Sequence, residues 1–195
     1  MSSGDSALLL LDVQSWILDT FARNDPSLVE RLGAALGAAR EHGTPVIFVM
    51  VAFRPGYPEV DDRNRTVSRS AANGDLREGD AMTAIDPRLA PIDGEVVVTK
   101  RRTSAFFGTD LEIILRARKI RRITLAGVAT GGVVLSTVRA AADLDLAATV
   151  LADGCTDADA EVHAVLVQKV FPRQATVTTV AEWVSSLAVA PRSEA

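Results

Sequence analysis

The chain has 195 residues and a mass of 20.7 kDa, a length that suits one domain built on a single core. Hydrophobic residues make up 48% and charged residues 24%, a balance that excludes a disordered polypeptide. Lys and Arg total 21 against 25 Asp and Glu, a net charge of -4, which argues against a surface that grips duplex nucleic acid along its length.

Residues 7–11 form a continuously apolar run that stops at Asp12. The run is too short for a membrane span and lacks the charged leader of a signal peptide, so a cytoplasmic protein without membrane contact is expected. It reads instead as a strand buried on both faces of a parallel sheet, with a helix to follow. Asn24-Asp25-Pro26-Ser27 supplies a helix cap and a first-turn proline, after which Leu28, Leu32, Ala35, Leu36 and Ala39 mark one helical face ended by Gly43 and Pro45. Residues 46–51 are the next strand, and the polar, weakly periodic stretch 54–91 is expected to run as a long excursion over the sheet edge. Strand character resumes at 95–99. Thr109-Asp110-Leu111-Glu112 reads as a capping box opening a helix with Leu111, Ile114 and Leu115 inward. A strand at 122–126 passes through the glycine-bearing turn 127–132 into a helix with Val134, Val138, Ala141 and Ala142 on one face. Two further units follow: strand 148–151 with a helix carrying Val162, Val165 and Leu166, then strand 175–177 with helix 180–187. This alternation predicts an α/β fold with a mostly parallel sheet covered on both faces. Residues 1–4 and 192–195 are expected to be disordered tails.

Ligands of such sheets bind beyond the carboxyl ends of the strands, which directs attention to Asp12, Arg54, Lys100, the turn 127–132 and residues 153–155. Asp12 and Lys100 end strands that read as central, where an isolated charge is costly, so an ion pair between them is expected. Such a pair can exchange a proton with a substrate, or it can be scaffolding, or Asp12 can cap a helix. The turn 127–132 suits an oxyanion at a helix N-terminus, and equally a tight connection that needs small residues. Arg54, Lys100, Arg101 and Arg102 gather positive charge for a carboxylate-bearing substrate, unless they are solvated surface. Trp16, Phe53, Tyr57, Phe106 and Phe107 can wall an apolar pocket, with at least one of the last two left for core packing. The single Cys155 excludes an intramolecular disulfide and a zinc site built on two thiolates, and it reads as a small buried residue. His163 reads as a surface or capping residue.

In their order and spacing, Leu8-Leu9-Leu10-Leu11-Asp12-Val13-Gln14, Phe53-Arg54-Pro55-Gly56-Tyr57-Pro58, Val98-Thr99-Lys100, Ser104-Ala105-Phe106-Phe107-Gly108-Thr109-Asp110-Leu111 and Gly127-Val128-Ala129-Thr130 resemble the isochorismatase-like hydrolase family, also called the cysteine hydrolase superfamily. The resemblance covers nearly the whole chain. It implies a three-layer α/β/α fold whose six-stranded parallel sheet has the order 3-2-1-4-5-6, with a non-proline cis peptide close to Val128-Ala129 at an oxyanion site. It implies that family amidases, such as nicotinamidases, use an Asp, a Lys and a Cys three residues beyond the Thr of the G-x-x-T turn. Asp12 and Lys100 match that set. The Cys position falls on Val133, which has no lone pair with which to attack a carbonyl. The nicotinamidase zinc pattern, Asp-x-His and a second His after the second strand, is absent. Isochorismatases, which carry glycine at that position, hydrolyse a vinyl ether by acid catalysis. This chain keeps the acid candidate, with valine in place of glycine, and stretch 54–91 does not match their substrate loop.

The expected function is therefore hydrolysis of a small molecule with Asp12 as general acid or base and Lys100 orienting it. Ala129, Thr130 and Val133 form the turn that polarises an oxygen, and Gln14, Trp16, Phe53, Arg54, Tyr57 and Phe107 contact the substrate. No metal or cofactor is expected, and the resemblance implies a homo-oligomer, dimer or tetramer. Two alternatives stay open: a non-catalytic member that binds a small carboxylate or a partner enzyme, and an amidase whose nucleophile is Cys155.

Overall fold

The computed structural model describes residues 3–189. Six strands form one parallel sheet: β1 (Ser6–Leu11), β2 (Val46–Val51), β3 (Val96–Lys100), β4 (Arg122–Val128), β5 (Ala147–Thr156) and β6 (Ala175–Thr178), in the order β3-β2-β1-β4-β5-β6. That is the expected order. β1 lies between β2 and β4, with Leu11 beside Val49 on one side and Gly127 on the other. Seven helices accompany the sheet among the described residues: α1 (Ser15–Phe21), α2 (Leu28–Glu41), α3 (Arg65–Asn73), α4 (Leu111–Ala117), α5 (Leu135–Asp143), α6 (Ala160–Val165) and α7 (Val180–Val189). Among them none is long and apolar enough to cross a membrane. Of the two expected tails, Ser3 and Gly4 belong to a short 3-10 turn that leads into β1, while residues 1, 2 and 192–195 lie outside the described residues.

The unbroken apolar run of β1 follows from its position. Leu8 and Leu10 pack into a core layer with Ile17 and Leu18 of α1, Leu32 and Leu36 of α2 and Trp183 of α7. Ala7, Leu9 and Leu11 enter the opposite layer with Leu111 and Leu115 of α4, Val134 just before α5, and Val138 and Ala141 of α5. Residues 8–11 are fully buried, and each leucine contributes roughly 2 kcal/mol by leaving water.

Three local features differ from the sequence reading. The stretch 54–91 contains α3 and folds back across the carboxyl ends of β1 and β2: Phe53 N–H bonds Leu76 O at 2.8 Å, Glu78 N–H bonds Phe53 O at 2.8 Å and Asp86 N–H bonds Val13 O at 3.0 Å. α3 is bounded by Asn64, whose side chain accepts Val67 N–H, and by Gly74 in the left-handed region, φ 75. The capping box is not closed, because Thr109 Oγ1 accepts Leu111 N–H at 3.3 Å and donates to Ala105 O at 2.6 Å instead of reaching the third helical residue. In α6, Val162 and Val165 stay exposed and only Leu166 is buried, where the helix widens into the π turn Leu166–Val170.

Candidate active site

β1 ends at Leu11, and Asp12 leaves the strand with φ 51, a left-handed conformation that Asp tolerates better than most residues. Its N–H still bonds Val49 O at 2.8 Å. Lys100 closes β3, an edge strand rather than a central one, and lies beside Val51 of β2. Its side chain spans β2 to place Nζ 2.8 Å from Asp12 Oδ2, and it also donates to Arg102 O at 3.2 Å. Chain beyond the strand ends covers this edge, so the Lys100 side chain is only 3% exposed. The ion pair read from the sequence is present. Asp12 Oδ1 is buried without a hydrogen-bond partner. Burial pushes the Asp12 carboxyl up from its ordinary value, opposed by the charge and hydrogen bond of Lys100 and by the Val51 backbone.

The pair borders a cavity of about 660 Å3, a volume in the range of small-molecule sites. Trp16 and Phe53 form part of its apolar wall, Ala129 and Val133 border it from the turn after β4, and Thr66, Arg69, Ser70 and Asn73 face it from α3. Arg102 joins them with its guanidinium oriented by two carbonyls, Arg101 O at 2.7 Å and Glu59 O at 2.9 Å. Neither Arg69 nor Arg102 forms a salt bridge among the described residues, although Arg102 also feels the charge of Asp61.

Beyond β4 the peptide Val128-Ala129 is cis, and the turn Thr130–Val134 leads into α5. Several of its amides are engaged inside the protein. Gly131 N–H bonds Asp157 Oδ2 at 2.7 Å, and Gly132 and Val134 N–H both reach Ala129 O, at 3.0 and 3.4 Å. Thr130 is fully buried, outside the cavity wall, with Oγ1 2.8 Å from His163 Nδ1. His163 is thus a partner of the turn rather than a surface or capping group. Its half-buried ring is held below the ordinary imidazole range by burial, against the opposing charges of Asp157 and Asp25.

Four residues expected to contact the substrate lie elsewhere. Gln14 is fully buried, its amide consumed by backbone: Nε2 donates to Val51 O at 2.8 Å and Thr83 O at 2.6 Å, and Oε1 accepts Val51 N–H at 2.8 Å. Arg54 points outward, 59% exposed, toward Glu59 at 3.7 Å. Tyr57 stands beside Phe53, ring centroids 5.8 Å apart, and donates its hydroxyl to Asp75 O at 3.0 Å, so it supports the wall without forming it. Phe107 is 67% exposed, whereas Phe106 packs on the core. The residues that the sequence reading missed, Arg69, Ser70, Asn73 and Asp157, sit on α3 or just beyond β5. The Asn64 and Gly74 caps were the available signal for α3.

Cys155 is buried in the core layer on the Leu11 side, with Sγ 4.0 Å from Leu125 O, and does not border the cavity. Burial pushes its thiol up to about 12, the state of an inert structural cysteine. Iodoacetamide at about pH 8 is expected to leave the native thiol unlabelled and turnover unchanged, with full labelling in urea. Mass spectrometry of the native and unfolded protein checks this, and rapid native labelling with loss of turnover would restore Cys155 as a nucleophile. Among the described residues no three His, Cys, Asp or Glu side chains are grouped as metal ligands.

A parallel sheet with a crevice at its strand ends sets the chain among α/β proteins that hold small molecules there. Residues 6–182 match the Isochorismatase domain model. The chain is 32% identical over 190 residues to the isochorismatase family protein YecD of Escherichia coli O157:H7, covering 96% of this chain and 98% of the relative. It is 31% identical over 212 residues to the ureidoacrylate amidohydrolase RutB of Stutzerimonas stutzeri, covering 96% and 82%. A cysteine hydrolase from Pseudomonas syringae pv. phaseolicola shares the fold, with a TM-score of 0.88 at 22% identity over 96% of this chain and 94% of that one. The protein belongs to the isochorismatase family of hydrolases.

Proposed function

We propose that the protein hydrolyses a small carboxylate-bearing molecule by acid-base catalysis at Asp12, oriented by Lys100, without a cysteine nucleophile. The observation that carries this reading is the buried Asp12–Lys100 pair on the cavity wall, with Oδ1 of Asp12 left unpartnered. A carboxyl raised by burial keeps its proton at a pH where an exposed one has lost it, and Lys100 limits that rise while fixing Oδ2. Asp12 then delivers the proton to the leaving nitrogen or oxygen of an amide or ester, or to the carbon of a vinyl ether. Val133, which borders the cavity while Thr130 lies outside its wall, carries the turn's candidate N–H for polarising the reacting oxygen. Arg69 and Arg102 suit the substrate carboxylate, a role the sequence reading gave to Arg54. Similarity to a ureidoacrylate amidohydrolase favours an acid that carries a hydrolysable amide, and Val133 rules out an acyl-thioester at its position.

Wild type and Asp12→Asn, assayed on maleamate, monomethyl maleate and an O-(1-carboxyvinyl) ether, test the reading. Asp12→Asn is expected to lower kcat by about 10²–10⁴-fold on whichever probe the wild type turns over. Equal background rates for both proteins on all three probes would leave a binding protein instead.

A further inference from the structure

We infer that Asp157 is a second carboxylate of the reaction site and the general base that takes a proton from the attacking water, an inference that rests on the Asp12 reading above. A thiol nucleophile supplies its own attacking atom. With valine at position 133 that atom must come from water, which has to lose a proton as it attacks. Asp12, acting as the acid in that turnover, cannot accept this proton in the same step.

Three carboxylates border the cavity: Asp12, Asp75 and Asp157. Asp75 follows α3 on the roof, and its Oδ2 takes Asn73 Nδ2 at 3.2 Å. Asp157 stands on the sheet side, just beyond β5, against the turn that carries Val133. Its Oδ2 is fixed by Gly131 N–H at 2.7 Å, while Oδ1 receives only a long 3.4 Å contact from Asp159 N–H. The approach is close: a Cβ at Gly131 would lie 3.2 Å from Asp157 Oδ2 and 3.1 Å from Val162 Cγ1, so these side chains would have to give by a few tenths of an ångström. One oxygen is thus anchored and the other is available to a water, while on the same cavity Asp12 Oδ1 is buried and unpartnered among the described residues. Two carboxylates facing one small-molecule cavity, one anchored by a backbone amide and one by a lysine, form an acid and a base.

On an amide the step balances as follows. Asp157 takes a proton from water as the water oxygen bonds to the carbonyl carbon. The tetrahedral intermediate collapses, the C–N bond breaks, and the nitrogen leaves with the proton of Asp12. The products are a carboxylic acid and an amine, and solvent returns a proton to Asp12 and removes one from Asp157. On a vinyl ether the same base serves the water that adds after Asp12 has protonated carbon.

Asp157→Asn isolates this role, since the amide oxygen still accepts Gly131 N–H but cannot take a proton. On the same three probes it is expected to lower kcat by about 10²–10⁴-fold with KM nearly unchanged. The limb of the kcat/KM profile that rises with pH through deprotonation of the base should vanish. In Asp157→Ala, added formate should restore part of the rate. Wild-type kcat in Asp157→Asn together with loss in Asp12→Asn would overturn Asp157 and leave the Asp12 reading standing. A rate loss with an unchanged pH profile and no formate rescue would reduce Asp157 to a positioning residue, which overturns the inference. Loss in Asp157→Asn with formate rescue in Asp157→Ala, and full activity in Asp12→Asn, would support Asp157 and overturn Asp12. A wild type inert on all probes overturns both.

Discussion

Gly127→Ala is expected to unfold the protein or lower its stability by at least about 4 kcal/mol. Gly127 lies in β4 opposite Leu11 and Cys155, with φ 138, a conformation that only glycine adopts at ease. A Cβ there would fall 2.0 Å from Leu11 O and 2.8 Å from Leu11 C and N. These are backbone atoms of the innermost strand, so no side-chain rotation relieves the clash and the β1–β4 register has to move. That register also fixes where Asp12, the residue after Leu11, leaves the sheet. Gly154 offers the contrast: its added Cβ would meet the side chains of Leu151, Val180 and Ala126 at 3.0 to 3.3 Å, and the loss should stay within about 1–3 kcal/mol. Urea unfolding of both variants checks the pair, and a Gly127→Ala protein within about 1 kcal/mol of wild type would contradict the packing argument.

The second large effect depends on pH. Lys100→Met removes both the charge and the hydrogen bond that hold down the Asp12 carboxyl, and leaves burial unopposed by the lysine. The native carboxyl then keeps its proton well above the ordinary value of 3.8, whereas in the unfolded chain it ionises near that value. Across that window the native state binds more protons, so stability falls as pH rises. Near pH 3, below the ordinary value, the carboxyl is largely protonated in both states and the variant should be close to wild type. At neutral pH its deficit should reach about 3–5 kcal/mol, the cost of stranding one member of a buried pair. Denaturant midpoints at about pH 3 and pH 7 measure this, and an equal deficit at both would show that lost packing of the lysine stem, not the carboxyl, is responsible.

Much of the sheet was legible because a parallel strand buried on both faces leaves a continuous apolar run, as residues 8–11 and 46–49 do. The Asp12–Lys100 pair was legible for a related reason: a charge at the end of such a run needs a partner. Gln14 was misread because a buried amide bonded to three backbone groups looks, in sequence, like one free to greet a substrate. Arg54 and Arg102 are both arginines near strand ends, and contacts invisible in sequence tell them apart: the Glu59 side chain draws Arg54 outward, while the Glu59 and Arg101 carbonyls aim Arg102. Asp157 escaped notice because its significance comes from Gly131, which is 26 residues away and adjacent only after β4 and β5 have paired. Phe106 and Phe107, neighbours in the chain, part company at the surface for want of any periodic pattern there.

The insert that carries α3 is tied down at several points that do not belong to the chemistry. Gln14 grips Thr83 O, Phe53 pairs with residues 76 and 78, and Arg101 bridges Glu59 and Glu78. Asp12 and Lys100, by contrast, stand at the ends of strands. In the proposed reading, Arg69 on α3 and Asp12 at the end of β1 belong to separate pieces of chain, held together by these fasteners. On that reading, a change confined to residues 65–73 is expected to alter which molecule is held while leaving the Asp12–Lys100 pair in place. One sheet can in this way be refitted for many substrates, and libraries for directed evolution belong on that helix, with Gln14, Arg101 and their partners kept constant.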